Sequence, residues 1–355
     1  MFVEIELTMA NQSEIYNVTG VNPMSGGPTN KTLITEPQAM RVIRILLYVV
    51  IFFVGVIGNI LVLLVVYKTP SLRSVTGYMI ANLAIADLMV ALFCLPATLI
   101  YMELKTWPFG YAMCKIIPFV QAISVMGSVG TLTVISVDRY RCIVNTFAAR
   151  LSMSVLRYLV CLIWSVALVI ALPLLGVNTL HTLSQTSIHC VEKWPKPKYR
   201  RIYSTVSFAL TYAIPLAIMC LLYIKIAIAL NKVVKDGGNR EGFTNQKKKD
   251  KVLRMLLALV IAYASCFLPN HVIVLWSEYG EETRYWLLLQ YYAILLVYLN
   301  SASNPVLYAF MGNRFKDGFK RLLCCQKFPT FNRSLSRNNR QSVATREFGL
   351  SERSS

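Results

Sequence analysis

The run from Cys114 to Tyr140, CKIIPFVQAISVMGSVGTLTVISVDRY, decides the fold. No charged residue stands between Ile116 and Val137. As a helix rising about 1.5 Å per residue, Cys114 to Arg139 covers about 37 Å, more than the ~30 Å hydrocarbon core of a bilayer. Cys114 therefore lies at one membrane face and Arg139 at the other.

Six further runs of similar length and apolarity flank it: Ile45 to Tyr67, Tyr78 to Tyr101, Val155 to Val177, Tyr203 to Leu230, Val252 to Trp276 and Tyr285 to Phe310. Thr69-Pro70-Ser71, Trp107-Pro108-Phe109-Gly110 and Asp236-Gly237-Gly238-Asn239 break the chain between some of them. With 55% hydrophobic and 15% charged residues, the composition is that of a membrane protein and not of a soluble core. The expectation is an all-α, seven-transmembrane helix bundle over 41–312. A polar outer tail over 1–40 precedes it, and a short amphipathic surface helix over 313–325 and a disordered cytoplasmic tail over 326–355 follow.

Seven crossings put the two ends of the chain on opposite sides. Most of the 36 Lys and Arg residues, among them Lys247, Lys248, Lys249, Lys251 and Arg254, then fall on the cytoplasmic side if the N-terminus is outside. The net charge of +19 reads as topology and contact with anionic lipid, not as nucleic-acid binding. The sequons at Asn11, Asn17 and Asn30 fit a glycosylated outer tail. No cleavable signal is evident, so the first crossing is expected to direct insertion.

Cys94, Cys142, Cys161, Cys220 and Cys266 lie in or beside apolar runs and read as packing. Cys114 and Cys190 both fall on the oxidising side, where a disulfide persists. That bridge would tie the loop after the fourth crossing over the bundle, and the alternation from Thr182 to Trp194 predicts a β-hairpin there. Phe315, Phe319, Leu322 and Leu323 recur at helical spacing among basic residues, as in a helix on a membrane surface. Cys324 and Cys325 follow as candidate palmitoylation sites. Ser334, Ser336, Ser342, Thr345, Ser351, Ser354 and Ser355 are candidate phosphorylation sites.

Ionisable and strongly polar groups within the membrane are costly and mark function. Asp87 is the only acid deep in a crossing, with Asn59, Ser128, Asn300, Ser301 and Asn304 as candidate partners. Asp138-Arg139-Tyr140 sets a permanent cation beside an acid at the inner face, a pair that exchanges partners between two states. Pro96, Pro173, Pro215, Pro269 and Pro305 interrupt helices and supply kinks.

Taken together these residues resemble rhodopsin-like G-protein-coupled receptors over Arg41 to Cys325. The resemblance rests on Gly58-Asn59, Leu83-Ala84-Ile85-Ala86-Asp87, Cys114, Asp138-Arg139-Tyr140 and Trp164. It continues through Pro215, Tyr223, Cys266-Phe267-Leu268-Pro269, Asn304-Pro305-Val306-Leu307-Tyr308 and Phe315. It implies that Arg139, Tyr223 and Tyr308 rearrange to admit a heterotrimeric G protein, with arrestin and receptor kinases acting at the tail. It also implies a sodium pocket at Asp87, Ser128, Asn300, Ser301 and Asn304. Phe267 stands where the family usually has Trp, Tyr263 where it usually has Phe, and Lys249, followed by Asp250, where many members carry an acid. Some basal activity is therefore expected.

Gln121 stands where amine receptors carry Asp, and Tyr298 where opsins carry a retinal-linking Lys. Gln121 and Glu278 are similar to the corresponding residues of receptors for RFamide, neuropeptide FF and neuropeptide Y-type peptides. That likeness implies that Glu278 pairs with a peptide arginine, while an amidated end lies near Gln121, His271, Gln290 and Tyr298. The basic loop Lys193, Lys196, Lys198, Arg200 and Arg201 keeps a lipid or anionic ligand as the alternative. A seven-helix transporter or channel predicts a repeated half that the sequence does not show. An enzyme needs paired catalytic groups at membrane depth, and neither H-E-x-x-H nor a Ser and His arrangement is present. No cofactor is expected beyond an allosteric sodium ion.

Overall fold

The computed structural model describes residues 36–144, 151–184, 187–235, 240–280, 286–311, 313–324 and 326. Helices α1 (Gln38–Lys68), α2 (Val75–Leu104), α3 (Gly110–Ile143) and α4 (Met153–Val177) come first. A hairpin, β1 (Asn178–Ser184) and β2 (Ser187–Glu192), leads to α5, which runs unbroken as Pro197–Phe208, Ala209–Ala213 and Ile214–Lys235. Helices α6 (Arg240–Tyr279), α7 (Trp286–Met311) and α8 (Asn313–Leu323) complete the described elements. Among the described residues seven helices are long and apolar enough to cross a membrane.

Their lipid-facing surfaces are apolar because no water is there to reward polar groups. On α1, Leu46, Val50, Phe53 and Ile57 recur every three or four residues and are all exposed. The opposite face turns inward, where Asn59, Val62 and Val66 are buried.

Buried polar side chains bind the helices to one another. Trp164 of α4 donates its indole N–H to Asn82 Oδ1 on α2 at 2.9 Å, and Asn82 Nδ2 donates to Thr131 Oγ1 on α3 at 2.7 Å. Proline opens further sites for such bonds, since it cannot donate to the carbonyl four residues earlier. Pro305 leaves the Ser301 carbonyl to Asn59 Nδ2, 3.1 Å away on α1. Pro215 leaves the Thr211 carbonyl to the Tyr263 hydroxyl of α6, and Tyr212 in turn donates to the Ala264 carbonyl at 3.0 Å. Wide π-helical turns at Val90–Cys94 and Ala209–Ala213 each end just ahead of Pro96 or Pro215. Gly58 lets α1 and α7 approach closely: a Cβ there would stand 2.7 Å from Pro305 Cβ.

Several boundaries differ from the sequence expectation, three of them at the outer end of the bundle. Helix α1 begins at Gln38, not near Ile45, and draws Arg44 into the bundle at 1% exposure. Arg44 Nη2 pairs with Glu36 and with Glu103 of α2, both at 2.8 Å, and its guanidinium lies 5.0 Å from the Tyr291 ring of α7. Burial alone would raise the Glu36 carboxyl, but hydrogen bonds and charge from Arg44 outweigh it and hold the group below the usual carboxylate range. Helix α5 begins at Pro197, not Tyr203, because proline suits the first helical position and the extra turns carry polar side chains. The hairpin spans Asn178–Glu192 with His181 opposite His189, earlier than the Thr182 to Trp194 alternation predicts.

Helix α8 ends at Leu323, short of residue 325. Phe315 and Phe319 are buried, Phe315 stacks on Tyr308 at 5.3 Å, and Leu323 is exposed. Cys324 is exposed. Asn11, Asn17, Asn30, Cys325 and the serine-rich tail lie outside the described residues, as do the side chains of Lys249 and Asp250.

Candidate functional site

A disulfide joins Cys114 at the start of α3 to Cys190 in β2, with Cα atoms 5.5 Å apart. The hairpin is fastened elsewhere as well. Trp107 N–H donates to the Ile188 carbonyl at 2.7 Å, Ile188 N–H donates to Thr106 Oγ1 at 3.0 Å, and Lys193 N–H donates to the Val177 carbonyl at 2.8 Å. His189 is buried, 2.8 Å from the Tyr101 hydroxyl. Burial, with the positive charge of His181 added, holds the His189 imidazole below the ordinary histidine value.

Below the hairpin, residues of α3, α4, α5 and α6 line a cleft that opens to solvent. Gln121, Asn270, His271, Tyr203, Ser204 and Phe208 line it, over an apolar wall that includes Val125 and Leu174. The His271 ring lies among Tyr212, Phe208 and Phe267, with centroids 5.0, 5.5 and 6.2 Å away. Asn270 Nδ2 and His271 Nε2 are buried without a hydrogen-bond partner. A buried polar atom left so costs about 1–3 kcal/mol, so these two favour a polar group arriving in the cleft.

The sequence-named ligand residues are placed at different depths. Gln121 and His271 line the cleft, and Glu278 lies above it on α6, linked to the wall through Ser204 Oγ at 3.2 Å. Glu278 already holds a guanidinium, for Arg200 Nε is 2.7 Å from its Oε1. Tyr298 does not line this cleft. Its hydroxyl lies 2.6 Å from Thr98 Oγ1 and donates to Gln121 Oε1 at 3.4 Å, tying α7 to α2 and α3. Gln290 also stands apart on α7, buried, with both amide atoms unpartnered. Sequence reasoning missed Asn270, Tyr203, Ser204 and the pairing of Arg200. The spacing of Arg200 and Ser204, four residues apart on one helix face, carries that signal.

Midway down the bundle, Asn304 Nδ2 donates to Asp87 Oδ2 at 2.7 Å. Asp87 is fully buried, and its Oδ1, Asn59 Oδ1 and Asn300 Oδ1 have no partner. Ser128 and Ser301 are buried on neighbouring helices. Three orphan oxygens, one of them on a carboxylate, are the kind of donors a hard cation takes, so the residues fit a sodium ion.

Nearer the inner end, Phe267 packs on Tyr263 at 4.7 Å, and Pro269 follows within α6. Arg139 Nη2 pairs with Asp138 Oδ2 at 2.5 Å and donates to Thr76 Oγ1. Thr76 itself reaches the same carboxylate oxygen at 3.3 Å. Tyr140 is half-buried beside them. Tyr223 and Tyr308 are buried with hydroxyls that lack partners. The arginine is held by its neighbour, and two tyrosines stand with unspent hydrogen bonds.

Comparison with known proteins agrees with this geometry. Residues 58–308 match the 7 transmembrane receptor (rhodopsin family). The chain is 35% identical to neuropeptide FF receptor 2 of Rattus norvegicus over 79% of its own length and 72% of that protein's. It is 33% identical to the RYamide receptor of Drosophila melanogaster over 88% and 70% of the two chains. Against the QRFP-like peptide receptor of Branchiostoma floridae the identity is 32%, over 81% and 78%. With its bundle, its tethered hairpin and its Asp138–Arg139 pair all in this register, the chain belongs to the rhodopsin family of seven-transmembrane receptors.

Proposed function

We propose that this receptor binds an extracellular amidated peptide carrying an arginine and activates heterotrimeric G proteins from the plasma membrane, with its N-terminus outside. The observation that carries the reading is the cleft. Its polar lining combines Gln121 with the unpartnered Asn270 Nδ2 and His271 Nε2, and Glu278 stands at the rim. An amide terminus offers both a donor and an acceptor to such groups, and a guanidinium suits the acid. The matched relatives are named as receptors for neuropeptide FF, RYamide and QRFP-like peptides, which supports a peptide ligand. The exposed Lys193, Lys196, Lys198 and Arg201 favour an acidic residue elsewhere in that peptide, or, as a second reading, an anionic ligand.

Agonist binding need only favour one of two arrangements, and a ~10⁴-fold preference carries a 1:99 equilibrium to 99:1. Release of Arg139 from Asp138 toward Tyr223 and Tyr308 supplies the second arrangement. A sodium ion would be held by Asp87 with the orphan oxygens of Asn59 and Asn300, beside Ser128, Ser301 and Asn304, where its charge would balance the carboxylate and favour the resting form. Phosphorylation of the serine-rich tail by receptor kinases would recruit arrestin.

Cells expressing the chain are challenged with synthetic peptides ending in Arg-Phe-amide or Arg-Tyr-amide and with the matching free acids. G-protein dissociation on amidated peptides, weakened by Glu278→Ala, is expected. Equal response to amide and acid, or activation only by anionic lipids, would reject the reading.

A further inference from the structure

Glu278 and Arg200 close the outer gap between α5 and α6. Their side chains are 5% and 21% exposed, and Arg200 Nε lies 2.7 Å from Glu278 Oε1. Ser204, one turn further along α5, donates to the same oxygen at 3.2 Å. Beside them the hydroxyls of Thr205 and Tyr279 are 2.9 Å apart, and the Arg201 guanidinium lies 5.8 Å from the Tyr279 ring. Ser204 and Val274, directly below, belong to the cleft wall. The recognition acid is thus already paired with an arginine of its own chain.

We infer that Arg200 is a specificity-determining residue, a built-in competitor that admits a ligand guanidinium to Glu278 only by exchange. The inference rests on the arginine-peptide reading above and assigns a role to a residue outside it.

A carboxylate this deeply buried cannot be left bare, because an unpaired charge there keeps its desolvation penalty with nothing to offset it. A second guanidinium added beside Arg200 would leave a net positive charge buried with one carboxylate, so an arriving guanidinium gains most by taking Arg200's place. Replacement by another guanidinium conserves the ion pair, so the contact adds little net affinity. A neutral side chain of the same shape cannot make the exchange at all. Specificity is a difference of affinities, and a resident competitor narrows the difference that a bare acid would make, because arginine and neutral ligands alike meet a carboxylate already paired. Lysine is a poorer substitute than arginine, because its ammonium offers no planar fork to the carboxylate. The exposed Lys196, Lys198 and Arg201 stand near Arg200 in sequence, and their charge opposes its release from the acid and so the exchange itself.

The test compares an amidated peptide containing arginine with its citrulline counterpart, neutral and of the same shape, on four receptors at matched surface expression. These are the natural chain, Arg200→Gln, Glu278→Gln and the double variant. Arg200→Gln is expected to widen the arginine-to-citrulline potency ratio by about tenfold, a change on the order of that from losing one competing ion pair. Glu278→Gln is expected to collapse the ratio toward one, with the double variant indistinguishable from it. Arg200→Lys keeps the charge and is expected to fall between the natural chain and Arg200→Gln. A ratio that Arg200→Gln leaves unchanged or narrows overturns the inference, as does an equal effect of Arg200→Gln when Glu278 is already neutral.

A ligand-free arm separates this outcome from failure of the peptide reading. Thermal unfolding of the purified receptors is expected to show that the double variant loses no more than the worse single one. Additive losses overturn the pairing whatever the peptides do. A receptor that shows coupled losses but answers no arginine peptide overturns the peptide reading, and the selectivity role with it.

Discussion

Tyr263 of α6 gives its hydroxyl to the Thr211 carbonyl of α5, and Tyr212 returns the bond to the Ala264 carbonyl at 3.0 Å. Pro215 creates the vacancy that the first bond fills, since it removes the helical donor for Thr211. The usual Phe at this place in the family has no hydroxyl to offer, so the reciprocal pair holds α5 to α6 by a device of this chain. Tyr263→Phe is expected to strip that carbonyl of its partner, at about 1–3 kcal/mol, and to raise ligand-free signalling severalfold. Signalling equal to or below that of the natural receptor at equal surface level would refute this role.

The Asp138–Arg139 pair is the other proposed restraint. Asp138→Asn removes the carboxylate that Arg139 and Thr76 share, and should raise basal G-protein activation at every expression level. The natural chain should itself show a ligand-free signal that climbs with expression. A flat response in both would count against partner exchange at this end.

Asp87 offers an independent handle. If a sodium ion at Asp87 favours the resting form, as proposed, replacing sodium chloride with choline chloride is expected to raise agonist affinity for the natural receptor. Asp87→Asn keeps a side chain beside Asn304 but lacks the charge, and should bind agonist equally in both salts. Unequal binding by the variant would place the ion elsewhere.

Arg44 is buried against Glu36, Glu103 and the Tyr291 ring. Arg44→Met leaves two carboxylates short of their partner and should destabilise the receptor by about 3–5 kcal/mol. Adding Glu36→Gln and Glu103→Gln should restore much of the loss. Thermal unfolding in detergent reads both steps, and a triple variant no better than Arg44→Met would show that packing, not charge, is at stake.

His189 makes the hairpin sensitive to acid. Its protonation is opposed by burial and by His181, whereas the unfolded chain takes up that proton near pH 6.5. Stability from this group is therefore complete above about pH 6.5 and declines as pH falls through that value toward the lower folded one. Between pH 7.5 and pH 5.5 the natural receptor should lose more thermal stability than His189→Gln, which still reaches the Tyr101 hydroxyl. Parallel loss in both would assign the acid sensitivity to other groups.

The sequence made some of this legible and hid the rest for physical reasons. Hydropathy marks the seven crossings because lipid imposes a long apolar run on each, and a lone Asp87 in such a run announces itself. Cys114 and Cys190 were readable because their chemistry admits few alternatives on one side of the membrane. Arg44 was not, since a cation at the end of an apolar run looks like a boundary until Glu103, 59 residues away, is brought beside it. Glu278 was recognised but its partner was not, because Arg200 stands among four other cations in a segment that reads as loop. Tyr263 looked like a departure from pattern, and only the fold shows which carbonyl it serves.

The hairpin is fastened twice along β2, at Cys190 by the disulfide to Cys114 and at Ile188 by the bonds to Trp107 and Thr106. A flap with one hinge could swing aside to suit ligands of different bulk, but this one is riveted like a roof. Accommodation of longer or shorter visitors must therefore come from the walls, above all where α5 and α6 part. Receptors of this build should diversify by altering wall contacts while the canopy stays constant.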